Sequence, residues 1–125
     1  MNWDKVFSNL EKMKGKKLKS ISGTSDIKLA DIDDETVTIE ARTKGGKAKI
    51  VKRSVSELKE LAALMKPNKP IHVDTELHGS GSSRNQPETL LANLPDVEWA
   101  RVDGRKNIVW VVKDSHPIGT LRNNK

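Results

Sequence analysis

From Thr36 to Arg42 the side chains alternate in character, with Val37, Ile39 and Ala41 set between Thr36, Thr38, Glu40 and Arg42. A period of two lays one set on each face of an extended strand and requires a neighbouring strand for the backbone. Lys44-Gly45-Gly46 then supplies a turn, so Lys47–Lys52 returns as the second strand of a hairpin. Upstream, Leu18 and Ile21 predict a short strand closed by Gly23. Ile27, Leu29 and Ile32 predict another, before the acidic turn Asp33-Asp34-Glu35. The segment reads as an antiparallel meander.

On either side the period changes to that of a helix. Trp3, Val6, Phe7, Leu10 and Met13 share one face, Lys5, Asn9, Lys12 and Lys14 the other, and Gly15 stops the run. Ser54-Val55-Ser56-Glu57 is a capping box for a helix with Val55, Leu58, Leu61, Ala62 and Met65 inward, ended by Pro67. Ile71, Val73 and Leu77 predict a strand. A Gly/Ser loop follows, then a helix from about Asn85 to Asn93, and Pro95 ends it. Val97–Val102 pairs with Ile108–Val112 across Asp103-Gly104-Arg105-Lys106-Asn107.

The fold class is therefore α+β within one compact domain. Residues 1–53 form an N-terminal helix plus a small antiparallel meander. Residues 54–113 form a winged-helix-like helix-strand-helix-hairpin unit, and 114–125, poor in apolar residues, form a loose tail. In a winged helix the helix before the hairpin is presented to DNA and the hairpin loop is the wing, which puts Arg105 and Lys106 at the tip, facing phosphates. The plainer alternative is a solvated turn.

Composition narrows the function classes. Only 34% of the 125 residues are hydrophobic, so the core is lean; one Phe, three Trp and no Tyr are too few for a stacking platform on single strands. The Trp residues read as core, Trp3 on the first helix and Trp99 with Trp110 as a cross-strand or diagonal pair. The absence of cysteine excludes disulfides and thiolate metal sites. With no apolar run near the ~20 residues of a membrane span and no signal-peptide core at the N-terminus, the expected location is cytoplasmic.

A net charge of +6 makes polyanions the first partners to consider. Lys12, Lys14, Lys16, Lys17 and Lys19 crowd one segment, and Lys44, Lys47, Lys49, Lys52 and Arg53 another. Lys47, Lys49 and Arg53 can share a strand face, while Asp31, Asp33, Asp34 and Glu35 gather elsewhere. An ordinary solvated surface is the competing explanation.

The sharpest candidate lies in Gly79–Leu94. Ser82, Ser83, Arg84 and Asn85, with Gln86 next, stand at a helix start anchored by Leu90, Leu91 and Leu94. Such a start suits phosphate capture and base-edge reading. Metal binding is not expected: His72, Asp74, Glu76 and His78 share a strand face, but on a straight strand the two histidines lie ~20 Å apart. Catalysis is not expected either. Glu57-Leu58-Lys59 has a nuclease-like spacing inside a helix, Glu40-Ala41-Arg42 carries Arg where Lys belongs, and His72, His78 and His116 lack a recognisable triad spacing. The Gly79-Ser80-Gly81-Ser82 loop lacks a P-loop ending.

Trp3 with its helix, the Leu18–Ile39 meander and Lys49–Arg53 running into Ser54 resemble an accessory module found beside bacterial restriction nucleases. Ser82-Ser83-Arg84-Asn85, with the leucine helix ending near Leu94-Pro95, is similar to a helix-start motif in such modules. The resemblance spans roughly residues 1–112 and implies a bacterial or phage DNA-binding function with Arg84 and Asn85 at the contact. The sequence departs from the pattern in carrying no nuclease domain, so cleavage would need a separate partner. The expectation is a small non-enzymatic duplex-DNA-binding protein, without cofactor. Ser82 and Ser83 would donate to phosphate, and Lys47, Lys49, Arg53, Arg105 and Lys106 would supply charge. The alternatives are a protein-interaction module, such as an inhibitor or adaptor from a mobile element, and RNA binding.

Overall fold

The computed structural model describes residues 1–21, 23, 26–42, 48–76 and 85–124; the side chains at 42, 74, 75 and 85 also lie outside the description. The elements are α1 (Trp3–Lys12), β1 (Lys17–Lys19), β2 (Asp26–Ile32), β3 (Thr36–Arg42), β4 (Ala48–Ser54), α2 (Val55–Leu64), α3 (Val73–Glu76), α4 (Asn85–Ala92), β5 (Val97–Val102) and β6 (Arg105–Trp110). β1 to β4 form an antiparallel sheet in sequence order, and β5 pairs with β6. The expected helix, meander and later hairpin are present, and the architecture is mixed α and β.

α1 begins because the Asn2 side chain accepts hydrogen bonds from Asp4 N (2.9 Å) and Lys5 N (3.4 Å), two of the amides the first turn leaves unbonded. It buries Val6, Leu10 and Met13 and leaves Trp3 and Phe7 half-buried. The chain leaves the helix through Gly15 at φ +84°, where its amide reaches Leu29 O at 2.7 Å. In the sheet, alternation places Leu18, Ile27, Leu29, Val37 and Ile39 on the inner face. Val55, Leu58, Leu61, Ala62 and Met65 of the α2 segment meet them, and Leu90, Leu91, Leu94, Val97 and Ile108 complete the same cluster. One core therefore spans the boundary drawn at residue 53.

Three expectations change. The strand over Ile71, Val73 and Leu77 shrinks to a single antiparallel bridge, Ile71 with Ile108, closed by hydrogen bonds of 2.9 and 3.0 Å. Val73 is instead buried by the helical turn α3, and Leu77 lies outside the described residues. The hairpin turn is only Asp103-Gly104, both at positive φ (52° and 77°), so Arg105 and Lys106 belong to β6 rather than to a loop tip.

The third change concerns the tail, which is docked. Trp99 turns its backbone away from β6, and the tail satisfies it: Trp99 N donates to Arg122 O (2.9 Å) and Asn124 N donates to Trp99 O (2.7 Å). Ser115 N reaches Pro95 O (2.8 Å), Gly119 N reaches Asn93 O (2.9 Å), and Ile118 and Leu121 pack on the core. His116 Nε2 also lies 2.6 Å from Val97 O, so the tail is held by backbone, side-chain and apolar contacts together.

Candidate nucleic-acid interface

The first turn of α4 is gripped from two sides. On one side stands Arg53, at the end of β4. Its Nε and one terminal nitrogen lie 2.8 Å from Glu57 Oε1, and the other terminal nitrogen donates to Gln86 Oε1 at 3.4 Å. The capping box is thus half-formed: Ser54 Oγ accepts from Ser56 N at 3.2 Å, while the Glu57 carboxylate turns to Arg53. On the other side Lys106 Nζ lies 3.8 Å from Glu88 Oε1. β4 and the β5–β6 hairpin therefore each reach the N-terminal end of α4, and α2 is joined to it through the Glu57–Arg53 pair.

This geometry reassigns several expected contacts. Gln86 is buried, because helical spacing turns it inward with Leu90. Arg53, only 12% exposed in its side chain, is a structural clamp. Lys106 is half-buried against Glu88. The register Ala41–Lys49, Ile39–Val51 and Val37–Arg53 puts Lys49 and Arg53 on the sheet face that covers the core, so that face is no open cationic stripe. Lys49 is exposed all the same, near the start of β4. Arg105 is exposed and, with His72, Val102, Asp103 and Asn107, lines a depression of about 370 Å³ at the turn end of the hairpin. Asn85 opens α4. Lys47, Ser82, Ser83 and Arg84 lie outside the described residues.

The helix itself is interior. Every residue from Gln86 through Glu98 is buried, so α4 has no side to lay in a groove; only its N-terminal end can meet a ligand. This burial traps three carboxylates that periodicity did not flag, Glu88, Asp96 and Glu98. Each faces a cation: Lys106 for Glu88, Lys5 at 3.7 Å for Asp96, and Arg122 at 3.6 Å for Glu98. Asp96 also accepts from Trp110 Nε1 (3.2 Å), and Glu98 from Asn124 Nδ2 (2.9 Å). Trp110 stands diagonal to Trp99 by register. The signal available beforehand was the clustering of acids within Glu88–Glu98 beside apolar residues, since a carboxylate enters a core only with partners.

At the sheet's far end Lys14 Nζ lies 2.9 Å from Asp31 Oδ1. That hydrogen bond, with the Ile32 amide, holds the Asp31 carboxyl below its ordinary range and raises Lys14 above its own. Asp33 is also held low, by the amides of Glu35 and then Thr36. Where a strand was expected to carry His72, Asp74 and Glu76, α3 removes that spacing, and His78 lies outside the described residues. Among the described residues no group of three His, Asp or Glu is placed to hold a metal, and no helix is long and apolar enough to cross a membrane.

Comparison with protein-family models, curated proteins and solved structures finds no match for this chain.

Proposed function

We propose that this chain is a small non-enzymatic nucleic-acid-binding protein whose favoured partner is duplex DNA. The observation that carries the proposal is that Arg53 of β4, held in turn by Glu57 of α2, and Lys106 of the β5–β6 hairpin flank the N-terminal end of α4, which opens at Asn85 directly after Ser82-Ser83-Arg84 in the sequence. A helix N-terminus offers unbonded amides and the positive end of the peptide dipoles to a phosphate. Exposed Arg105 on the hairpin and exposed Lys49 on β4 extend positive charge away from that end. The order α2, Ile71, α3, α4, β5, β6, with Ile71 and β5 on opposite edges of β6, supports a winged-helix-like arrangement. Contact is end-on, because α4 is buried along its length. The resemblance to DNA-binding modules beside restriction nucleases points the same way.

Fluorescence anisotropy on a labelled duplex, its single strands and a structured RNA, at low and moderate salt, tests the proposal. Binding should weaken steeply with salt, and Arg105→Ala or Lys49→Ala should each lower the log–log slope by about 1. Arg84→Ala should cost about 1–3 kcal/mol at a specific site. No binding to any of the three at low salt would reject the proposal and favour a protein-interaction module. Tighter binding to the RNA would reject the duplex.

A further inference from the structure

Trp3 and Phe7 occupy the α1 face that the core does not fully cover. Their ring centroids lie 6.2 Å apart with planes tilted by 56°, and both are half-buried. The space beside them, about 350 Å³, is lined also by Asp4, Glu11, Asp34 and Lys59. That volume is at the lower end for a ligand site, the scale of a side chain with its backbone rather than of a large cofactor. On a molecule of net charge +6, three carboxylates rim this groove. The local sign is opposite to that of the whole.

Two details bear on what the groove suits. Lys59 Nζ stands 6.0 Å from the centre of the Trp3 ring, so an ammonium already occupies the electron-rich face. Asp34 is carried by a stiff turn: Asp33 Oδ1 accepts from Glu35 N (2.8 Å) and Thr36 N (2.7 Å), and Asp33 N donates to Thr36 O (3.0 Å). Val55 N ties the same turn to α2 through Glu35 O at 2.9 Å. The aromatic floor and the acidic rim therefore come from three elements already fixed to one another, which lowers the ordering cost of binding.

We propose that this groove docks an arginine-bearing segment of a partner protein, its guanidinium lying on Trp3 and Phe7 between Asp34 and the α1 carboxylates, with Lys59 as the tethered cation it displaces. Arginine suits the site better than lysine, because its planar group stacks on rings and pairs with carboxylates in one pose. The groove shares no residue with the proposed nucleic-acid contact, and nothing in it depends on that reading.

The probe is an acetylated, amidated hexapeptide of alternating glycine and arginine, with citrulline replacing arginine as the neutral control, titrated into the ¹⁵N-labelled full chain. The arginine peptide should shift the Trp3 indole signal and the Asp34 amide, and the citrulline peptide should not. Glu11→Gln and Asp34→Asn, both at exposed positions, should each weaken binding about two- to fivefold. Lys59→Met should tighten it, by freeing the ring and removing a like charge. Equal shifts with citrulline, shifts confined to the hairpin, or weaker binding in Lys59→Met would overturn the proposal. So would concentration-dependent self-association of the free protein that covers Trp3, which would assign the groove to a second copy.

Discussion

Arg53 is the residue on which a surface role and a structural role differ most, and the two make opposite forecasts. Its guanidinium places two nitrogens 2.8 Å from Glu57 Oε1, with side-chain exposures of only 12% and 19%. Removing one partner of a fully buried pair costs about 3–5 kcal/mol, because the survivor stays desolvated and uncompensated. Residual access to water reduces this to about 2–3 kcal/mol for Arg53→Ala, and to a similar figure for Glu57→Ala, where the helix gains from alanine. With a urea dependence of about 2 kcal/mol per M, each midpoint should fall by about 1–1.5 M. The double variant should lose less than the sum, by about 1–2 kcal/mol, since the second removal breaks nothing further between them. The assay is urea unfolding followed by far-ultraviolet circular dichroism on the wild type and the three variants. Losses below about 0.5 kcal/mol with no coupling would refute the clamp.

Ending the chain after Asp114 should free the Trp99 amide and carbonyl and uncover the core beside Leu121, lowering stability by about 2 kcal/mol or more. Hydrogen exchange should show Trp99 protected in the full chain and fast in the truncated one; equal protection would mean that the tail does not dock. The Asp33 carboxyl is depressed in the fold by the Glu35 and Thr36 amides, so its contribution is fully present above its ordinary value of 3.8 and is lost as pH falls through the lower folded value. Asp33→Ala should therefore show a smaller loss of urea midpoint between pH 6 and pH 2.5 than the wild type, and an identical loss would contradict the turn geometry. Lys14 runs the other way: raised by Asp31, it contributes below 10.5, and that contribution fades as pH climbs through its raised folded value.

Most of the fold was legible from periodicity because its segments carry their own instruction. Val37, Ile39 and Ala41 can be covered together only on a strand, and Val6, Leu10 and Met13 only on a helix. Gly15 and Gly104 mark positions where the chain must adopt a positive φ, and the first helix, the meander and the late hairpin followed from such local rules. Ile71 and Val73 fit a strand equally well, and only the approach of β6 decided that one bridge forms before the chain coils.

The candidate site was less legible, for an electrostatic reason. A sequence counts cations, whereas a fold decides which of them are spent on buried carboxylates. Lys106 and Arg122 face Glu88 and Glu98, Lys5 is shared between Asp96 and the exposed Asp114, and Arg53 holds Glu57. Apart from Arg53 and Glu57, four residues apart, those pairings join residues as distant as Lys5 and Asp96, and no local pattern records them. Strand and helix came from the order of apolar and polar residues along the chain, because hydrogen bonding and side-chain direction repeat locally. The interior position of α4, the docking of the tail and the exposure of Arg105 came only from the packed molecule, because burial is a property of everything that surrounds a residue.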